Sequence, residues 1–173
     1  MSTDRTPGLR PVREAGMAEW PAIGELTTEV YGALAPSSPP PSWTEYLTSI
    51  AVTLTQPDQA RRLVVDLDGR IAASVLLCPP SSGPTGRLEN PYPELRLLAV
   101  RSDYRRRGLA GLLIEACEQR ARQDGYDAIT LHTTSLMPTA KAMYERRGYL
   151  RAPGLDFEPG PGFVVWGYRR PLA

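Results

Sequence analysis

Apolar residues recur every three or four positions from Ala15 to Leu34, where Met17, Trp20, Ile23, Leu26, Val30 and Leu34 form one stripe. That period predicts a helix. Four prolines between Ala35 and Pro41 end it. Ser42, with Glu45 at capping-box spacing, opens a second predicted helix that runs to about Thr55. Ahead of both, Leu9 to Arg13 alternates enough for a first short strand. Arg61–Leu67 and Arg70–Cys78 are apolar runs of strand length, and the Asp68-Gly69 pair between them tolerates positive φ, so a hairpin is predicted.

Pro79 to Pro93, rich in Pro, Gly and Ser, is a long connection of the kind that often borders a site. Glu94 to Val100 returns to a strand, followed by a polar turn from Asp103 to Gly108. Leu109 to Gln123 is the clearest helix, with Leu109, Leu112, Leu113, Ala116 and Cys117 on one face and Gly125 just past its end. Asp127 to His132 is a strand. Pro138 to Arg147 is a short helix with Pro at its first turn and Gly148 at C′. Tyr149 to Ala152 and Gly162 to Arg169 close the chain as strands.

Helical crossovers combined with a hairpin require a mixed sheet with helical cover, an α/β (α+β) fold. The 173 residues suit one domain, taken as 9–173 behind a flexible segment 1–8. A formal charge of +1 gives no global field for nucleic acid or anionic membrane, so any polyanion site must be local. No apolar run is long enough to span a bilayer, and residues 1–15 lack the apolar core of a signal peptide, so the cytosol is the expected location. Two cysteines give no disulfide framework, and a single histidine, His132, gives no metal site.

The junction Arg105-Arg106-Arg107-Gly108-Leu109-Ala110-Gly111 joins a predicted strand to the best helix. Backbone N–H groups of such a turn and of the helix start can wrap anionic oxygens, and Gly108 and Ala110 leave little bulk in the way. The residues alone allow two readings, a diphosphate site or a solvated basic loop ahead of a core helix. Neither a Walker A loop nor a Rossmann glycine spacing is present.

Leu97 to Ala110 resembles the coenzyme-binding motif of the GCN5-related N-acetyltransferase superfamily, in which a strand ending in Val leads to Arg or Gln, two residues, Gly, one residue, and Gly or Ala; Arg105, Gly108 and Ala110 stand at those last positions. Ala140-Lys141-Ala142-Met143-Tyr144-Glu145-Arg146-Arg147-Gly148-Tyr149 is similar to the family's second signature. The resemblance covers roughly residues 9 to 170. It implies a six- or seven-stranded mixed sheet whose fourth and fifth strands splay, with acetyl-CoA as cofactor. The pantetheine arm would lie along Leu98, Ala99 and Val100, and the diphosphate on Arg105, Arg106, Arg107, Gly108, Leu109, Ala110 and Gly111, with Ala140 and Tyr144 nearby. Where many relatives carry Asn, this chain has Met137, so that hydrogen bond is absent or supplied by Thr133, Thr134 or Ser135.

Acetyl transfer to an amine needs a base, oxyanion stabilisation and an acid for the departing thiolate. The resemblance makes Tyr144 the acid, a phenol protonated at neutral pH; its alternative is an aromatic core residue. Glu94 matches the position of a carboxylate base in several relatives, and strand alternation puts it on one side with Arg96, Leu98 and Val100. Glu89, Glu29 and His132 compete for that role. Cys117 and Cys78 read as packing residues rather than nucleophiles. A backbone N–H near Leu98 is the expected oxyanion donor.

For the acceptor, a primary amine of a small molecule or a peptide N-terminus, the expected contacts are Tyr31, Glu29, Tyr92 and His132. Trp20, Trp43, Tyr46 and Glu25 add aromatic and acidic groups suited to a cation. The expected assembly is a monomer or homodimer. Two other readings stand beside this one: an acyl-coenzyme A-binding protein without catalysis, and a nucleic-acid module built on the arginines, against which the near-neutral charge argues.

Overall fold

The computed structural model describes residues 11–55, 58–81 and 89–173. The expected flexible segment 1–8, and Leu9 and Arg10 of the expected first strand, lie outside them. The elements in chain order are β1 (Arg13–Glu14), α1 (Trp20–Gly32), α2 (Pro41–Thr55), β2 (Arg61–Leu67), β3 (Arg70–Cys78), β4 (Glu94–Val100), α3 (Leu109–Gln123), β5 (Ala128–Thr133), α4 (Pro138–Arg146), β6 (Leu150–Arg151), β7 (Phe157–Gly160) and β8 (Phe163–Pro171). Pro41 begins α2, so Ser42 lies inside the first turn rather than capping it. Among the described residues no helix is long and apolar enough to cross a membrane.

All eight strands join one sheet, ordered β1-β2-β3-β4-β5-β8-β6, with β7 on β8. The strand beyond the expected six or seven is β7, whose Pro159 and Gly160 hide any alternation. Asp68 and Gly69 both take positive φ, 53° and 78°, closing the predicted two-residue hairpin between β2 and β3. Pairing is antiparallel throughout except between β4 and β5, which run parallel and touch only at Glu94↔Thr130 and Leu95↔Leu131. Beyond Leu95 the two strands splay.

The sheet is covered on both faces. Leu63, Val65, Val75, Leu77 and Leu95 pack with Leu109, Leu113 and Cys117 of α3, whereas Val64, Leu76, Leu97 and Ala99 pack with Ile23 and Leu26 of α1 and Ile50 and Leu54 of α2. The α1/α2 layer is tied to β2 by Arg62. Its side chain is 1% exposed. The guanidinium lies 3.8 Å from the Trp20 ring centre and donates to the carbonyls of Leu54 at 3.2 Å and Thr53 at 3.3 Å, and to Asp58 at 2.9 Å. The orphan carbonyls of the α2 C-terminus are thus met by a cation, which also suits the helix dipole.

One irregularity decides the site. Arg96 pairs with Leu76 and Ala99 with Ser74, so Leu97 and Leu98 together face Val75 alone. Leu97 takes φ 53°, a β-bulge that costs a bulky residue about 1–3 kcal/mol of backbone strain. The bulge reverses the alternation of β4. Leu95 packs on the α3 face, Leu97 and Ala99 on the α1/α2 face, and Leu98 and Val100 on the α3 face again. Glu94 and Arg96 pair with Cys78 and Leu76, both on the α1/α2 face, and share that face. The expectation that Glu94, Arg96, Leu98 and Val100 lie on one side is therefore overturned.

Candidate functional site

The splay between β4 and β5 opens into two cavities that share a wall. The first, of about 550 Å³, runs from the splay to the strand-to-helix turn. Leu98 and Val100 of β4, Thr133 of β5, and Ala140, Met143 and Tyr144 of α4 line its inner part. Arg105, Arg106, Gly108, Leu109, Ala110 and Gly111 line its outer end. The turn there has Arg106 at φ 61° and Gly108 at φ 77°, on either side of Arg107. Such a reversal draws successive N–H groups toward one point, and α3, starting at Leu109 without a side-chain cap, adds its own orphan donors. Gly108 is required by its φ alone, because a Cβ there would meet nothing within 4 Å.

Buried Tyr104 anchors this turn to the β2–β3 hairpin. Its hydroxyl donates to Asp68 at 3.2 Å and accepts from Arg70 Nε at 3.1 Å. Arg107 stacks on the same ring, 5.2 Å from its centre, and does not line the cavity. The aromatic face draws the guanidinium away from the cavity, so any contact of Arg107 with a ligand there falls to its backbone. Ala99, 1% exposed, has its side chain buried in the α1/α2 core by the bulge, which leaves its backbone for any contact with a ligand.

The second cavity, of about 320 Å³, lies between the sheet, α2 and β7. Tyr46, Glu45 and Ser49 of α2, Glu94 and Arg96 of β4, and Phe157, Pro159 and Phe163 around β7 line it. Tyr31, Leu95, Leu97, His132, Thr133 and Met137 line both cavities. Glu94 therefore faces the second cavity and not the first. Its Oε1 lies 2.9 Å from His132 Nδ1, whose Nε2 is 2.8 Å from the Leu155 carbonyl. With both ring nitrogens engaged, His132 is held as a support for Glu94.

Tyr144 sits at the inner end of the first cavity, 6% exposed and edge-on to Tyr149 at 5.7 Å. Burial drives its phenol well above the ordinary value, so it holds its proton at neutral pH. The buried Oγ1 of Thr133, on the shared wall, has no hydrogen-bond partner. Such an atom is costly unless a ligand meets it. Met137 brings no hydrogen-bonding group there, so Thr133 is the polar group that β5 offers. Together with the open edge of β4 past Leu95 and the N–H-rich turn, it fits the amide-bearing arm and diphosphate of a coenzyme A thioester.

The other expected residues fall elsewhere. Glu29 pairs with Arg101 at 3.6 Å, with its side chain 61% exposed, and Tyr92 is covered by Arg169 at 4.6 Å. Neither lines either cavity, nor does exposed Glu89. Burial pushes the Cys117 thiol up to about 12 and the Cys78 thiol up to about 11, which leaves both as poor nucleophiles. Arg96 and Phe157 are among the lining residues that the sequence left unassigned: Arg96 was read only as a strand neighbour of Glu94, and Phe157 carried no signal at all.

Comparison with known proteins bears on this geometry. Residues 20–149 match the acetyltransferase (GNAT) family. Over 101 residues the chain is 31% identical to S-(2-succino)cysteine N-acetyltransferase of Bacillus subtilis, a match spanning 56% of this chain and 59% of that relative's length. A GNAT-family acetyltransferase structure from Desulfovibrio desulfuricans superposes with a TM-score of 0.70 at 15% identity, covering 95% of this chain and 99% of the other. A GCN5-related N-acetyltransferase from Kribbella flavida gives 0.66 at 22% identity, covering 96% and 99%. At these identities the two structures speak for the fold.

Proposed function

The chain belongs to the acetyltransferase (GNAT) family, and from that premise we propose that it transfers an acetyl group from acetyl-CoA to a primary amine by direct attack within a ternary complex. The observation that carries this reading is the wall shared by the two cavities. A donor in one and an acceptor in the other would meet at Leu97 and Thr133 without either leaving its site.

Arg105, Arg106 and the backbone from Gly108 to Gly111 hold the diphosphate, and the free edge of β4 with Thr133 holds the arm. Acetyl-CoA, when bound, supplies an acetyl group already activated as a thioester. Glu94, fixed by His132, takes the proton from the acceptor ammonium directly or through water. The amine nitrogen then forms its bond to the acetyl carbon as the carbon–sulfur bond breaks. Backbone donors of the bulge at Leu97 and Leu98, left unpaired by β5, stabilise the developing oxyanion. Tyr144, protonated at neutral pH, gives its proton to the departing sulfur, and the second proton shed by the acylated nitrogen restores the phenol.

Calorimetric titration with acetyl-CoA, followed by thiol release across peptide N-termini, polyamines, aminoglycosides and amino acids, tests the reading. Saturable binding and acceptor-dependent release are expected. No binding would remove the donor assignment, and binding without acceptor-dependent release would remove transfer.

A further inference from the structure

The second cavity contains a cation whose ion pair is long. Arg96 reaches it because the Leu97 bulge turns β4 over, and the side chain is only 25% exposed. Its nearest carboxylate oxygen, Glu94 Oε1, stands at 3.7 Å, beyond hydrogen-bond distance, and that oxygen is already met by His132 at 2.9 Å. Its other neighbour is the Cys78 thiol, held neutral by burial.

His132 already engages Glu94, and among the described residues lining the cavity the other carboxylate is that of Glu45, exposed on α2. A guanidinium so placed loses hydration without a hydrogen-bonded counterion, a cost that a ligand carboxylate bound by its fork would offset.

We propose that the acceptor carries a carboxylate as well as its amine, as an amino acid does, and that Arg96 anchors the carboxylate while the amine points to the shared wall. Tyr31, Tyr46, Phe157 and Phe163 surround the rest of the cavity and suit an apolar side chain. At about 320 Å³ the space fits one such molecule. This inference rests on the acyl-transfer reading above.

Matched acceptors test it: phenylalanine against phenylalaninamide and phenethylamine, and leucine against 3-methylbutylamine. The acids should exceed their partners that lack the carboxylate roughly tenfold to a hundredfold in kcat/KM. Arg96→Gln should erase that advantage through KM, and Arg96→Lys should keep part of it, with coenzyme A affinity unchanged in both. A second arm needs no turnover: the same compounds are titrated into protein saturated with coenzyme A and followed by saturation-transfer NMR. There the acids alone should bind, and binding should be lost in Arg96→Gln. Amides or amines that match the acids, in either arm, would overturn the proposal, as would an advantage that survives Arg96→Gln. Failure of acetyl-CoA to bind the wild-type protein would instead strike the transfer reading, while the binding of acid against amide by the protein alone still decides the anchor. Should Arg96→Gln not fold, Arg96→Lys and the wild-type comparison of acid with amide decide.

Discussion

The two cavities are built by different means. The first takes its outer end from one continuous stretch, Arg105 to Gly111, and relies on backbone donors and helix polarity. The second gathers side chains from α1, α2, β4, β5 and the β7 region, residues as far apart as Tyr31 and Phe163. A site made of contiguous backbone is specified by local conformation, which a short motif can encode. A site made of converging side chains depends on where whole elements pack. The same division implies that damage to the first cavity should weaken every reaction equally, whereas damage to the second should be selective among acceptors.

The largest effect should come from Tyr144→Phe, which removes the acid and leaves the ring. We expect kcat to fall roughly a thousandfold with acetyl-CoA affinity retained, by steady-state kinetics and calorimetry. Unchanged turnover would return Tyr144 to the core. Next comes Ala110→Glu, a carboxylate at the second residue of α3, where the diphosphate would lie. Acetyl-CoA should bind about a hundredfold more weakly, while acceptor binding in the second cavity persists. If both cavities lose their ligands together, the division between them is wrong.

Glu94→Gln should lower kcat by some tens of fold near neutral pH, an effect that shrinks at high pH as acceptors lose their proton to solvent. A pH–rate profile with the same proportional loss at every pH would assign Glu94 a structural role alone. The smallest effect lies outside both cavities, where Arg13 bridges Glu19 at 2.7 Å and Asp66 at 2.7 Å between β1, the start of α1 and β2. The Arg13 guanidinium and the Gly16 N–H hold the Glu19 carboxyl at about 2, below its ordinary 4.5. A depressed carboxylate contributes stability above its unfolded value and loses it as pH falls toward the folded one. Thermal melts should therefore decline between about pH 4.5 and 2, modestly because Glu19 is one-third exposed, and Glu19→Gln should flatten that decline.

Much of the fold was legible because its signals are local. The bounds of β2, β3, β4 and α3 agree with the sequence expectation, since apolar period, Asp68-Gly69 and Gly125 act within a few residues. The turn after β4 was legible for the same reason. Glu94, expected on the face that carries Leu98 and Val100, lines the second cavity on the opposite face, because strict alternation cannot anticipate a bulge at a leucine. Glu29, Tyr92 and Arg107 were drawn from plausible neighbourhoods, and pairing with a cation or an aromatic ring holds each side chain outside both cavities.

By itself, then, the sequence determined the mixed sheet with its helices, the anion-ready turn and the tyrosine on α4, all matters of period, turn chemistry and short motif. Tertiary structure alone decided that β4 and β5 part after Leu95, that Leu97 turns Glu94 and Arg96 toward the α2 side, and that His132 is consumed in holding Glu94. The physical reason is range. Backbone preference acts between neighbours in the chain, whereas the charge and shape of the second cavity arise from side chains that meet only after the sheet has closed.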